Sequence, residues 1–62
     1  MNYRIWELRT AKGYSLRQLE QLSGVSKTEI NDIENNKTNP TVETLQLIAN
    51  ALEVELIELI KL

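Results

Sequence analysis

The most constraining feature of this chain is a pair of helix-start signals eleven residues apart, with a glycine between them. In the first, Ser15 stands three residues before Gln18, and in the second Ser26 stands three residues before Glu29. In each pair the hydroxyl can accept a hydrogen bond from a first-turn N–H, while the longer side chain reaches back to the cap residue. Gly24 can adopt the left-handed backbone that ends a helix. The segment predicts two short helices joined by a tight turn, the helix-turn-helix arrangement whose second helix commonly enters the DNA major groove.

The composition allows one small globular domain over residues 1–62. Apolar residues make up 42% of the chain and charged residues 26%, which is typical of a folded protein rather than a disordered one. No apolar run approaches the ~18 residues of a membrane span, and no signal-peptide core is present. We therefore expect a cytoplasmic protein with no membrane partner.

The residue types that most enzymes and metal sites use are missing. The chain has no Cys and no His, which removes thiolate ligands, thiolate nucleophiles and the usual near-neutral acid or base. Its acidic residues are scattered, and no glycine-rich phosphate loop occurs. We expect no catalytic residue, metal site, cofactor or small-molecule substrate.

Apolar residues recur at helical spacing in five segments, which predicts an all-α fold with no strand. The first predicted helix runs roughly from Asn2 to Lys12, the second follows Ser15 and ends at the Gly24 turn, and the third follows Ser26 and fades at Asn35 and Asn36. The fourth starts near Thr41 and includes Leu52, and the fifth runs from Glu55 to Lys61. In the second helix, the predicted apolar stripe consists of Leu16, Leu19 and Leu22.

The net charge of −2 argues against a strongly basic nucleic-acid module, but the charges are unevenly distributed. Residues 1–40 hold six basic and five acidic side chains, whereas residues 41–62 hold one basic and four acidic ones. Screening over about 8–10 Å makes the acidic end unimportant for a contact that lies far from it. The charge balance weakens a DNA-binding interpretation without excluding it.

Short motifs along nearly the whole chain occur in a specific order and spacing. They are Ile5-Trp6-Glu7-Leu8-Arg9, Gly13, Ser15, Leu19, Gly24-Val25-Ser26, Ile30, Ile33-Glu34-Asn35, Pro40, Glu43-Thr44-Leu45, Ile48-Ala49, Ala51-Leu52 and Leu56. With this pattern the sequence resembles the phage repressor/Cro type of helix-turn-helix, the XRE family of bacterial and phage regulators. The resemblance implies a five-helix lambda-repressor-like domain, with the helix-turn-helix at helices two and three, that binds double-stranded DNA as a transcriptional regulator, most often a repressor.

The third helix is the predicted DNA-reading element. At 100° per residue, Ile30 and Ile33 set its buried face, so Thr28, Asp32 and Asn35 point away from the core. The resemblance places the base-reading positions on Lys27, Thr28, Asn31 and Asp32. The alternative is an ordinary solvated helix face, because outward polar residues are common on any helix.

Cations around this helix are the predicted phosphate contacts. We expect them from Arg17, Lys27 and Lys37, with help from Asn35 and from free N–H groups at the starts of helices two and three. Many relatives have Gln where this chain has Leu16, which removes one expected polar contact. Any single cation has the alternative role of keeping the surface soluble.

Arg9 and Glu34 are expected to have a structural role. Each lies four residues after a predicted core isoleucine, beside the buried stripe of its helix, where a charge needs a partner. The resemblance implies an ion pair between helices one and three that orients the reading helix.

Glu20 departs from the family, which usually has Ala where helices two and three approach. Its carboxylate must swing outward or meet a cation such as Lys27, and it places an anion near the DNA. With Leu16 and the acidic total, it favours an alternative function: a protein-interaction module of the same fold, antitoxin-like or anti-repressor, with little DNA affinity. The polar row on helix three favours DNA binding.

The last predicted helix is more apolar than a monomer needs. Leu56, Leu59 and Ile60 share a stripe that can close the core, but Ile57 lies about 100° from Leu56 and Leu62 lies beyond the other edge. Relatives usually bind two half-sites as dimers. We therefore expect a homodimer with Ile57 and Leu62 in the interface, the alternative being a frayed amphipathic tail.

Overall fold

The computed structural model describes residues 2–61, apart from the side chain of Lys61. Four α-helices make up most of it: α1 (Ile5–Ala11), α2 (Leu16–Ser23), α3 (Lys27–Glu34) and α4 (Val42–Leu52). A single 3₁₀ turn (Leu56–Leu59) follows α4, and two short strands, β1 (Asn2–Tyr3) and β2 (Ile60–Lys61), pair with each other. No helix in residues 2–61 is long and apolar enough to cross a membrane. The predicted small helical domain is present, with four α-helices rather than five.

The predicted fifth helix over Glu55–Lys61 is wrong, because its residues join the start of the chain instead. Tyr3 pairs with Ile60 in antiparallel register, and the Arg4 N–H donates to the Leu59 carbonyl at 2.8 Å. The prediction of no strand is therefore also wrong, and α1 begins three residues later than expected. A segment this short forms too few internal hydrogen bonds to hold a helix, whereas pairing with β1 satisfies its backbone groups.

One apolar core joins the four helices and the 3₁₀ turn. Its fully or nearly fully buried residues are Ile5, Leu19, Val25, Ile30, Ile33, Leu45, Ile48, Ala49, Leu52 and Leu59. Each large aliphatic side chain buried in this way stabilises the fold by about 1.5–3 kcal/mol. The core lies under α2 and α3, so it fixes where their outer faces point.

The predicted apolar stripe of α2 is only partly right. Leu19 is fully buried and Leu16 packs against the core, but Leu22 is 55% exposed. The core-facing position in the last turn belongs instead to Ser23, four residues after Leu19. The Ser23 hydroxyl is buried and accepts a hydrogen bond from the Val25 N–H at 3.0 Å, so this polar group has a partner at its inward position.

The turn after α2 depends on the backbone of one glycine. Gly24 has φ of +80° and ψ of 0°, and its N–H donates to the Glu20 carbonyl at 2.8 Å. A Cβ atom at this position would meet nothing within 4 Å. The requirement for glycine is therefore conformational rather than steric, as the sequence predicted.

We expect Gly24→Ala to lower the free energy of unfolding by about 1–2 kcal/mol, because an L side chain is strained in the left-handed region. The matched control is Glu53→Gly, at the residue that ends α4 with φ of 58°. That change relieves the same strain and should leave stability unchanged or raise it. Urea denaturation followed by circular dichroism measures both, and equal losses in the two variants would contradict the argument.

Candidate nucleic-acid interface

The first helix-start signal is formed as predicted. The Ser15 hydroxyl accepts from the Gln18 N–H at 3.1 Å, and the Gln18 side-chain oxygen accepts from the Ser15 N–H at 2.8 Å. This reciprocal cap fixes the start of α2, where Arg17 is exposed in the first turn. The Leu16 and Arg17 N–H groups have no acceptor among the described residues.

The second helix-start signal is only half formed. The Ser26 hydroxyl accepts from the Glu29 N–H at 3.1 Å, but within residues 2–61 the Glu29 side chain makes no return bond to Ser26. Glu20 of α2 provides a different acceptor, because its Oε2 takes the Lys27 N–H at 3.0 Å. The Glu20 carboxylate thus meets Lys27 through the backbone rather than through the ammonium group, and it links α2 to the first residue of α3.

The two faces of α3 differ sharply. Ile30 and Ile33 are buried in the core, and Asp32 is partly exposed at the edge. Polar side chains that are exposed on this helix and at the residue that ends it include Lys27, Thr28, Asn31 and Asn35. Three of the four predicted base-reading residues therefore face solvent on one helix, and the fourth lies at its margin.

A hydrogen-bond pair orders two of these side chains. Asn35 Nδ2 donates to the Asn31 carbonyl at 2.8 Å and to Asn31 Oδ1 at 3.1 Å. Because a backbone carbonyl only accepts, the Asn35 atom that faces it is the amide nitrogen, whose second hydrogen then orients the Asn31 oxygen. The Asn31 amide nitrogen is left to donate elsewhere. A phosphate contact from the Asn35 nitrogen, which the sequence predicts, requires these bonds to break.

Three exposed cations flank this helix: Arg17, Lys27 and Lys37. In the part of the chain that the structure describes, none of them forms an ion pair. The Lys37 N–H donates to the Asp32 carbonyl at 2.8 Å, which holds this lysine close to the last turn of α3. The three cations predicted to contact phosphates thus lie exposed at the start of α2 and at both ends of α3.

The ion pair expected between Arg9 and Glu34 is present. Arg9 Nε lies 2.8 Å from Glu34 Oε2, and Arg9 Nη2 lies 3.1 Å from Glu34 Oε1, so the contact is bidentate. Arg9 Nη1 also donates to the Tyr14 carbonyl at 2.9 Å. Only 10% of the Arg9 side chain and 6% of the Glu34 side chain are exposed. The pair ties α1 and the loop before α2 to the last residue of α3.

The geometry of α2 and α3, set by a glycine turn and a shared core, agrees with a known group of proteins. Residues 7–59 match the family model described as helix-turn-helix. The chain belongs to this helix-turn-helix family.

Similar members of the family include regulators and solved domains. The HTH-type transcriptional regulator SlrR of Bacillus subtilis is 50% identical over 52 residues, which cover 82% of this chain and 34% of SlrR. SinR of Bacillus subtilis, also an HTH-type transcriptional regulator, is 40% identical over 52 residues, which cover 82% of this chain and 47% of SinR. This helix-turn-helix chain thus spans between about a third and a half of the length of these two relatives.

Two solved structures are similar in both fold and sequence. The restriction-modification controller protein C.AhdI from Aeromonas hydrophila superimposes with a TM-score of 0.89 at 37% identity, covering 92% of this chain and 86% of that one. The master regulator for biofilm formation SinR in complex with DNA superimposes with a TM-score of 0.81 at 38% identity, covering 87% of each chain.

We expect strong energetic coupling between Arg9 and Glu34 in this helix-turn-helix domain. Arg9→Met or Glu34→Leu alone leaves a buried charge without its partner and should cost about 3–5 kcal/mol. The double variant should be more stable than either single one, because two apolar side chains then replace the pair. Denaturation of all four proteins measures the coupling, with trimethylamine N-oxide added where a single variant is unfolded in buffer. Additive losses would contradict the prediction.

Proposed function

We propose that this domain is the DNA-binding part of a transcriptional repressor and that it reads a specific double-stranded sequence with α3 in the major groove. The observation that carries the proposal is the division of α3 into a buried face with Ile30 and Ile33 and an exposed face of short polar side chains. The major groove is wide enough for one such helix. The SinR structure in complex with DNA, similar in fold and sequence, supports this role. We further propose a cytoplasmic location, since a bacterial repressor must reach the chromosome.

The chemistry of the exposed face suits base recognition. We propose that the Lys27 ammonium and the free Asn31 amide nitrogen donate to acceptors such as guanine N7 and O6. The Thr28 hydroxyl can donate or accept, and the Asp32 carboxylate can accept from a cytosine amino group. These four residues therefore offer both hydrogen-bond donors and acceptors, which suits them to base edges that present either kind of group.

We propose that phosphate contacts surround this helix. Arg17 lies in the first turn of α2 beside two free N–H groups, so a charge and backbone donors meet at one place. Lys37 lies beyond the C-terminal end of α3, and Asn35 lies between that end and Lys37. Such contacts fix the register of the reading helix on the duplex without carrying sequence information.

DNA selected from a random pool should bind with an affinity that falls as salt rises, because each neutralised phosphate releases counterions with a log–log slope of about 0.9. Arg17→Ala should weaken binding to all sequences alike and reduce the magnitude of that slope by about 0.9, the value for one phosphate contact. Thr28→Ala should relax the preference at one base pair, at a cost of about 1–3 kcal/mol. Fluorescence anisotropy on matched and mismatched duplexes measures each effect.

Lys12→Ala is the charge-matched control, since Lys12 is exposed at the end of α1 and outside the two helices of the motif. It should reduce affinity less than Arg17→Ala. Affinity that is unchanged by salt, or no selected sequence, would instead favour the second candidate, a protein-interaction module of the same fold. The net charge of −2 and the Glu20 carboxylate at the start of α3 are the observations that favour that candidate.

We also propose that the protein acts as a homodimer. Ile57 on the 3₁₀ turn is 67% exposed, although Leu59 of the same turn is fully buried. A two-fold partner at the end of α4 and this turn would cover Ile57. Half-sites that fall one helical turn apart would then have their centres about 34–36 Å apart. Leu62, the other predicted interface residue, lies outside the described residues.

Ile57→Lys should weaken self-association, because it places a charge at the centre of the proposed interface. Val42→Lys is the matched control, since Val42 is 68% exposed but lies at the opposite end of α4. Sedimentation equilibrium at micromolar and higher concentrations measures both. A parent that is monomeric throughout, or two variants that behave alike, would rule out this interface.

A further inference from the structure

The start of α3 is capped by an acidic side chain from another helix. Its first turn has three N–H groups that no helical carbonyl accepts, those of Lys27, Thr28 and Glu29. The Glu29 N–H donates to the Ser26 hydroxyl and the Lys27 N–H donates to Glu20 Oε2, at 3.1 and 3.0 Å. Of these three N–H groups, that of Thr28 has no acceptor among residues 2–61. The cap of α2, by contrast, comes entirely from its own Ser15 and Gln18.

We propose that Glu20 is a positioning residue that holds the start of α3 against α2 and, at the same time, lowers the affinity of the domain for DNA. The positioning half rests on the hydrogen bond to Lys27, which spans seven residues and crosses the Gly24 turn. The affinity half rests also on the proposed function, because it concerns the helix end that enters the groove.

The charge of Glu20 explains the effect on affinity. Lys27 and Thr28 are exposed at the helix end where the proposed base contacts begin. Without Glu20, the start of α3 would offer a phosphate the free Lys27 N–H group and the positive end of the helix dipole. With Glu20 in place, a carboxylate occupies that N–H group and repels the phosphate. A unit charge about 6–8 Å from a phosphate changes the affinity by about three- to tenfold at low salt, and by less as salt screens it.

This repulsion acts on the phosphate backbone, which every duplex shares. Glu20 therefore lowers specific and non-specific affinity by the same factor and leaves base preference unchanged. A carboxylate that instead read a cytosine amino group would change the preference at one base pair. The two roles are thus separable by experiment.

Glu20→Gln tests the charge alone, because the amide keeps an oxygen that can accept the Lys27 N–H. Glu20→Ala removes both the charge and the acceptor. Glu53→Gln is the matched control, since Glu53 is exposed at the end of α4, outside the turn between α2 and α3, and makes no hydrogen bond to α3. Hydrogen exchange of the Lys27 amide is measured in the free proteins, and duplex affinity is measured on a selected and an unrelated sequence at 50 and 200 mM salt.

We expect the Lys27 amide to be protected in the parent and in Glu20→Gln and to exchange faster in Glu20→Ala. Glu20→Gln should bind both duplexes about three- to tenfold more tightly than Glu53→Gln at 50 mM salt, with a smaller difference at 200 mM. Circular dichroism establishes that each variant is folded.

Equal Lys27 exchange in the parent and in a folded Glu20→Ala would overturn the positioning half. An affinity of Glu20→Gln equal to or below that of Glu53→Gln, or a changed base preference, would overturn the affinity half. If no variant binds any duplex, the proposed function fails together with the affinity half, while the exchange result still decides whether Glu20 holds the start of α3.

Discussion

The buried ion pair between Arg9 and Glu34 is the interaction on which the rest of the structure depends. Either charge alone would be too costly to desolvate in so small a core, but together they satisfy each other and the Tyr14 carbonyl. The pair joins three parts of the chain: α1, the loop before α2 and the end of α3. Because its geometry is bidentate, it restricts rotation of α3 as well as distance. The apolar core sets which face of α3 points inward, and the ion pair adds a directional contact at its last residue.

Carboxylates hold α3 at both of its ends. Glu34, its last residue, binds back to α1, and Glu20 of α2 binds its first residue from outside. Between them, Ile30 and Ile33 anchor the inner face. A helix constrained at both ends and along one face presents its outer side chains in a defined orientation before any partner arrives, which lowers the entropy cost of binding. The Asn31–Asn35 hydrogen bonds add order on that outer face.

Features that depend on residues close in sequence were predictable. The Ser15–Gln18 cap, the Gly24 turn and the buried face of α3 follow from residue type and spacing, and the resemblance to a known family supplied the Arg9–Glu34 pair. Features that depend on distant or competing partners were not predictable. Only one of the two bonds of the predicted Ser26–Glu29 cap forms, and Glu20 caps a different donor at this helix end, the Lys27 N–H, from another helix. Exposure of Leu22 follows from Ser23 taking the inward position, and the strand pair requires residues at opposite ends of the chain.

That strand pair also bears on the order in which the structure assembles. Contact between Tyr3 and Ile60 closes a loop of nearly the entire chain, which carries the largest closure entropy in the fold. The contacts between α2 and α3, in contrast, join residues that are near neighbours in sequence, and such contacts form fastest. We expect the two helices of the motif to come together early in folding and the chain ends to meet late. Fraying of the ends would then reverse only the last step and leave the exposed face of α3 intact.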